Sequence, residues 1–158
     1  VGVSLEQSAI GLSEFVGVKR RMEVIYQDRG VTVYDDFAHH PTAIKTTLEG
    51  LRAKVGQAKI IAVIEPRSAT MKLGIHKETL SASVSRADQV YWYQNPGIDW
   101  DIDAVATDCS VPATATADID QLLQLVIGAA TAECYIVIMS NGGFEGFYGL
   151  LTERLAAR

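Results

Sequence analysis

The segment from Val31 to Thr42, VTVYDDFAHHPT, brings two aspartates and two histidines to the start of a helix marked by Pro41. A carboxylate at a strand end can hold the two vicinal hydroxyls of a ribose. Imidazoles beside it can hydrogen-bond a substrate or fix a loop. Asp36 is expected as the ligand-holding acid and Asp35 as the structural one. A lone aspartate here would more often cap a helix or close a solvated turn. Two like charges in sequence, however, lose stability unless each has a use. A metal is not expected: adjacent His39 and His40 rarely face one ion, and the HxxxH spacing is absent.

Two further polar stretches follow apolar runs. In Glu65-Pro66-Arg67-Ser68-Ala69-Thr70-Met71-Lys72, Arg67 offers a planar fork and Lys72 a point charge to carboxylates or phosphates. A solvated loop has the same composition. In Ser140-Asn141-Gly142-Gly143-Phe144, small residues and glycines would let a backbone approach an anion ahead of a helix start, although glycine pairs also make ordinary turns. Arg20 and Arg21 either add positive charge to a phosphate site or lie on the surface. His76 reads as a surface residue, and Cys109 and Cys134 as reduced thiols without a role. The phosphate loop GxxxxGK[ST] is absent, so these residues alone make no complete phosphoryl-transfer enzyme.

These segments need elements that aim them together. Ser4 and Gln7 form a capping box for a first helix with Leu5, Ala9, Leu12 and Phe15 on one face, ended by Gly17. Strands over 21–27 and 31–35, joined through Gly30, predict a hairpin. Helices are expected over 41–55, 71–87, 118–130 and 144–158, with a weaker one within 99–110. Buried strands are expected at 59–64 and 135–139, a strand at 90–93 and an edge strand within 111–117. Alternating strands and helices predict an α/β, Rossmann-like three-layer sandwich, its sheet mainly parallel after an antiparallel amino-terminal hairpin. Loops leaving parallel strands then share one edge, and all three polar stretches would face one crevice.

The chain has 158 residues, 48% of them hydrophobic and 21% charged, which predicts one domain over residues 1–158. A net charge of −5 argues against nucleic-acid or anionic-membrane binding. No apolar run reaches the length of a membrane span, and no signal peptide is seen. Because the sequence opens at Val1 without methionine, it is expected to be part of a longer protein whose amino-terminal portion is missing.

Together the motifs resemble the carboxyl-terminal domain of the Mur ligases, the ATP-dependent amide-forming enzymes of peptidoglycan synthesis, over essentially the whole chain. Phe15-Val16-Gly17-Val18-Lys19-Arg20-Arg21-Met22-Glu23 is similar to the family's F-x-G-…-R-x-E opening. Asp36-Phe37-Ala38-His39-His40-Pro41-Thr42 is similar to its D-Y-x-H-x-P segment, with the doubled histidine of the muramate–alanine branch. The stretches from Glu65 to Gly74 and from Met139 to Phe144 are similar to the murein peptide ligase branch.

The resemblance implies a cytoplasmic recycling ligase. ATP would phosphorylate the lactyl carboxylate of UDP-N-acetylmuramate, and the amine of the murein tripeptide L-alanyl-γ-D-glutamyl-meso-diaminopimelate would displace the phosphate. Mg2+ and the phosphate loop would belong to a central domain and the UDP-sugar to an amino-terminal one, neither in this chain, which would be inactive alone. Arg21 would approach the ATP ribose and phosphates, Asp36 the ribose hydroxyls, and His39 and His40 the space between adenosine and the incoming amine. Arg67 and Lys72 would meet the peptide carboxylates, with Ser140 and Asn141 completing that pocket. Phe37 departs from the family tyrosine, and Glu145 sets an acid beside the glycine turn. Alternatives are the sister ligase that adds L-alanine, a non-catalytic nucleotide- or peptide-binding module, and a metal-dependent hydrolase built on Asp35, Asp36, His39 and His40.

Overall fold

Strand alternation sets the architecture. In β2 (Val31–Asp36) successive side chains leave opposite faces, so Val31 and Val33 enter one apolar cluster and Tyr34 the other. The same division runs through β3 (Lys59–Ile64), with Ile61 and Val63 on one side and Ile60, Ala62 and Ile64 on the other. The structure is a computed structural model that describes residues 2–13 and 18–158, apart from the side chains of Leu12 and Lys72.

With β1 (Glu23–Asp28), β4 (Gln89–Tyr93), β5 (Ala113–Thr116) and β6 (Cys134–Met139), these strands form one sheet in the order β1-β2-β6-β3-β4-β5. Only β1 and β2 pair antiparallel. Their turn needs positive φ at both central residues, and Arg29 (φ 48°) and Gly30 (φ 79°) supply it. A Cβ on Gly30 would stand 2.9 Å from the Glu133 amide nitrogen, so glycine is required there. Helices α2 (Pro41–Val55), α4 (Lys77–Ser83) and α5 (Ile102–Thr107) cover one face. The other is covered by α6 (Ile119–Ala129) and α7 (Phe147–Ala156). The expected three-layer α/β sandwich with an antiparallel opening hairpin is what forms.

Three local expectations change. The helix expected over 71–87 is broken into α3 (Ala69–Lys72) and α4, with Gly74 at φ 67° between them. The Met71 carbonyl accepts from the Gly74 amide at 2.9 Å and from the Trp100 indole at 2.8 Å, so it no longer serves a continuing helix. Leu73 is 75% exposed as a result. At the carboxyl end, a 3₁₀ turn (Phe144–Gly146) precedes α7, because Phe144 and Glu145 adopt φ of 46° and 49°. The glycine turn therefore does not open directly into an α-helix.

The first helix, α1 (Leu5–Ser13), starts on its capping box: Ser4 N donates to Gln7 Oε1 at 3.0 Å, and Gln7 N to Ser4 Oγ at 3.1 Å. Of the residues expected on its apolar face, Leu5 is 92% exposed and Ala9 is exposed. Phe15 and Gly17 lie outside the described residues. Among the described residues no helix is long and apolar enough to cross a membrane. Cys109 and Cys134 are both free, and burial pushes both thiols up.

Candidate functional site

Parallel register brings the three polar loops to one edge. Asp36 stands opposite Met139, and Met139 opposite Ile64 on its other side, so β2, β6 and β3 end in one row. Two strong ties lock the row. Arg20 lies 3.0 Å from Asp35 and donates to the Ser140 carbonyl at 2.8 Å and the Tyr148 hydroxyl at 2.7 Å. It thereby joins β2, β6 and α7. Burial and the neighbouring Asp35 push the Tyr148 hydroxyl up to about 12, so it stays protonated.

The second tie is Glu65, fully buried at the end of β3. Its carboxylate accepts from Asn95 Nδ2 at 2.7 Å and from Ser140 Oγ at 2.5 Å, connecting β3 with the loops after β4 and β6. Sequence reading treated Glu65 only as part of its loop. The available signal was an acid directly after the apolar run 60–64 and before a proline. Glu65→Gln sets an amide donor against a Ser140 hydroxyl that already accepts from Gly142 N. It is expected to lower stability by about 1–2 kcal/mol, read as a shift in the urea midpoint.

Two expected ligand groups have other work in this conformation. Asp36 is 3% exposed, and its oxygens accept from Met22 N and Ala38 N, each at 2.8 Å, and from Thr47 Oγ1 at 3.4 Å. Alternation explains this: Asp35 leaves the α7 face toward Arg20, and Asp36 the α2 face toward Thr47. Met22 has φ 51° and Arg20 φ 58°, strained for their types. Asp36 holds the first amide, and Glu23 Oε2 accepts the second at 2.8 Å. Asp36 thus fixes the segment that carries Arg21. Ser140 is also fully buried, its hydroxyl donating to Glu65 and accepting from Gly142 N at 2.9 Å. As arranged, neither side chain faces solvent.

Arg21 and Arg67 are open to it, and His39 and His40 are half-buried. Arg21 is exposed, its guanidinium 5.4 Å from the centroid of the Phe37 ring; that ring also carries the Arg20 guanidinium at 5.5 Å. The phenyl group at the departed tyrosine position is a platform for two cations. His39 Nδ1 lies 2.8 Å from the Phe37 carbonyl, which can only accept. The proton therefore sits on Nδ1, and Nε2 is a bare acceptor in the neutral ring. His40 caps α2, its Nδ1 accepting from Thr42 N at 3.3 Å.

Arg67, exposed in the loop after β3, lies against Gly142 in the loop after β6. A Cβ on Gly142 would stand 2.6 Å from Arg67 Cζ and 2.7 Å from its Cδ. Beside it, Asn141 Oδ1 is buried without a hydrogen-bond partner among the described residues. The Lys72 side chain lies outside the described residues. His76, read as a plain surface residue, packs its ring against His40. Among the described residues, no three His, Cys, Asp or Glu side chains are grouped to hold a metal ion.

The family model described as "Mur ligase, glutamate ligase domain" matches residues 20–142. The chain belongs to the Mur ligase family. This Mur ligase domain is 48% identical to the UDP-N-acetylmuramate–L-alanyl-γ-D-glutamyl-meso-2,6-diaminoheptandioate ligase of Escherichia coli K12, over all of this chain and 35% of that one. The murein peptide ligase of Psychrobacter arcticus superposes with a TM-score of 0.82 at 40% identity, covering all of this chain and 34% of that one. A domain from a corresponding ligase of Haemophilus ducreyi gives 0.73 at 41% identity, covering 85% of this chain and 99% of that one. The chain thus spans about a third of the length of the full-length relatives it matches.

Proposed function

We propose that this domain binds the adenosine of ATP and the peptide acceptor for a ligase that joins L-alanyl-γ-D-glutamyl-meso-diaminopimelate to UDP-N-acetylmuramate in the cytoplasm. The observation that carries the reading is the aligned strand edge. It sets an open arginine before β1 and a half-buried imidazole after β2 (Arg21, His39) at one end, and an open arginine with a buried unpaired acceptor (Arg67, Asn141) on the loops of β3 and β6. The relatives named for this reaction match along the whole chain.

Arg21 meets the nucleotide phosphates and ribose, and Asp36 serves the ribose through the segment it fixes. Arg67 and Lys72 hold the peptide carboxylates; Asn141 takes a donor from the peptide, and Ser140 shapes that wall from beneath. His39 and His40 position the incoming amine. In the assembled enzyme, ATP transfers its γ-phosphoryl group to the lactyl carboxylate. The amine then attacks the acyl carbon, loses a proton and expels phosphate. Among the described residues no side-chain cluster fits Mg2+, and its ligands are assigned to the central domain of the longer ligase. The domain alone is therefore expected to bind without ligating.

NMR titration of the isolated chain tests this directly. ATP is expected to shift amides around Arg21 and His39, and the tripeptide those around Arg67 and Asn141, with no amide product formed when both are present with UDP-N-acetylmuramate. L-Alanine shifting the second set as strongly as the tripeptide would move the assignment to the alanine-adding sister enzyme. Shifts scattered over both sheet faces would defeat the shared crevice.

A further inference from the structure

Two imidazoles from different loops meet beside the crevice. His40 closes the loop after β2, and His76 stands at the start of α4, after the loop that follows β3. Their ring centroids are 4.2 Å apart, with the planes inclined at 69°. This edge-to-face contact is favourable between neutral rings and is lost to repulsion once both carry charge.

Several groups hold His40 neutral. Its Nδ1 accepts from Thr42 N, so a proton placed there would remove the α2 cap. The amino terminus of this 15-residue helix also disfavours a cation. Desolvation, His76 and His39 all lower its affinity for a proton.

We propose that His76 is a positioning residue: the neutral His40–His76 contact fastens the loop bearing Arg67 to the loop bearing His39, and protonating the pair unfastens them. The two walls that the proposed function assigns to acceptor and nucleotide are thereby set relative to each other, and to that extent the inference rests on that reading. Neither the doubled histidine nor the α4 start suggested it in sequence, because 36 positions separate His40 from His76.

The test follows His Cε1–H resonances and the amides of residues 67–76 in this chain from pH 8 to pH 5. In the wild type, the loop amides are expected to move with the His40 midpoint, below the ordinary histidine value of about 6.5. His76→Phe keeps a ring without a charge and should hold the loop in its high-pH state down to pH 5. His76→Lys fixes one charge beside His40, so His40 should take up its proton at lower pH than in the wild type, and once it does the loop should enter its low-pH state with tripeptide affinity about tenfold weaker.

A purely structural His76 would leave the pH profile unmoved when replaced by Phe. Loop amides that ignore His40, or a His76→Phe chain that titrates like the wild type, would overturn the latch. A loop that follows His40 in a chain that binds no tripeptide at any pH supports the latch and removes the acceptor assignment instead.

Discussion

Asp36→Ala is expected to destabilise the domain by roughly 3–5 kcal/mol, from the loss of charge-assisted hydrogen bonds and the desolvated donors left behind. The carboxylate serves two backbone amides and one hydroxyl from a nearly closed site. Alanine supplies no acceptor to any of them. The Met22 amide is the costliest to abandon, since Asp36 helps hold that residue at φ 51°. The segment bearing Arg21 should loosen with it, so ATP affinity falls together with stability. Asp36→Asn keeps one acceptor oxygen but turns an amide donor toward a backbone N–H, and should fall between. Asp35→Ala leaves Arg20 its bonds to the Ser140 carbonyl and Tyr148, and should cost less than Asp36→Ala. Urea melts of the three variants check the order; an Asp36→Ala midpoint equal to that of Asp35→Ala would contradict it.

That ordering reverses what the two aspartates suggest in sequence. Adjacent acids on a strand end advertise a ligand, and nothing in their spacing says which face each leaves or what waits there. The strands themselves were legible, because β3 and β6 are mainly apolar runs whose burial needs no partner information and β2 follows a hairpin turn with apolar residues in alternation. So was the start of α2, where His40 and Pro41 act locally. Legibility failed wherever a distant residue intervened. Trp100 takes the Met71 carbonyl and breaks a helix whose periodicity ran on unbroken. Glu65 finds Asn95 and Ser140, the latter 75 positions away. Arg20 outranks Arg21 as a structural tie only because Ser140 and Tyr148 lie beneath it. The site was thus visible as a set of loops, and its division into supporting and open groups was not.

Gly142→Ala separates those two kinds of group, because it should disturb the site while sparing the fold. Gly142 is not among the glycines with positive φ, so alanine is acceptable to its backbone. The atoms a Cβ would meet first are Arg67 Nη1, then Cζ at 2.6 Å and Cδ at 2.7 Å, all of one flexible side chain. The guanidinium must swing away, while the buried Glu65–Ser140 bond beneath need not move. Stability should therefore change by less than about 1 kcal/mol. Tripeptide affinity should fall more than tenfold, and by about a hundredfold in Arg67→Ala, where the charge itself is gone. Arg67→Lys should recover little of this, because a point charge on a flexible stem does not reproduce a planar fork packed against Gly142. ATP affinity should stay at the wild-type value in all three, since the nucleotide is assigned to the loops around β2. Calorimetric titration of each variant with both ligands would decide it, and a Gly142→Ala chain that binds the tripeptide as tightly as the wild type would remove Arg67 from the acceptor wall.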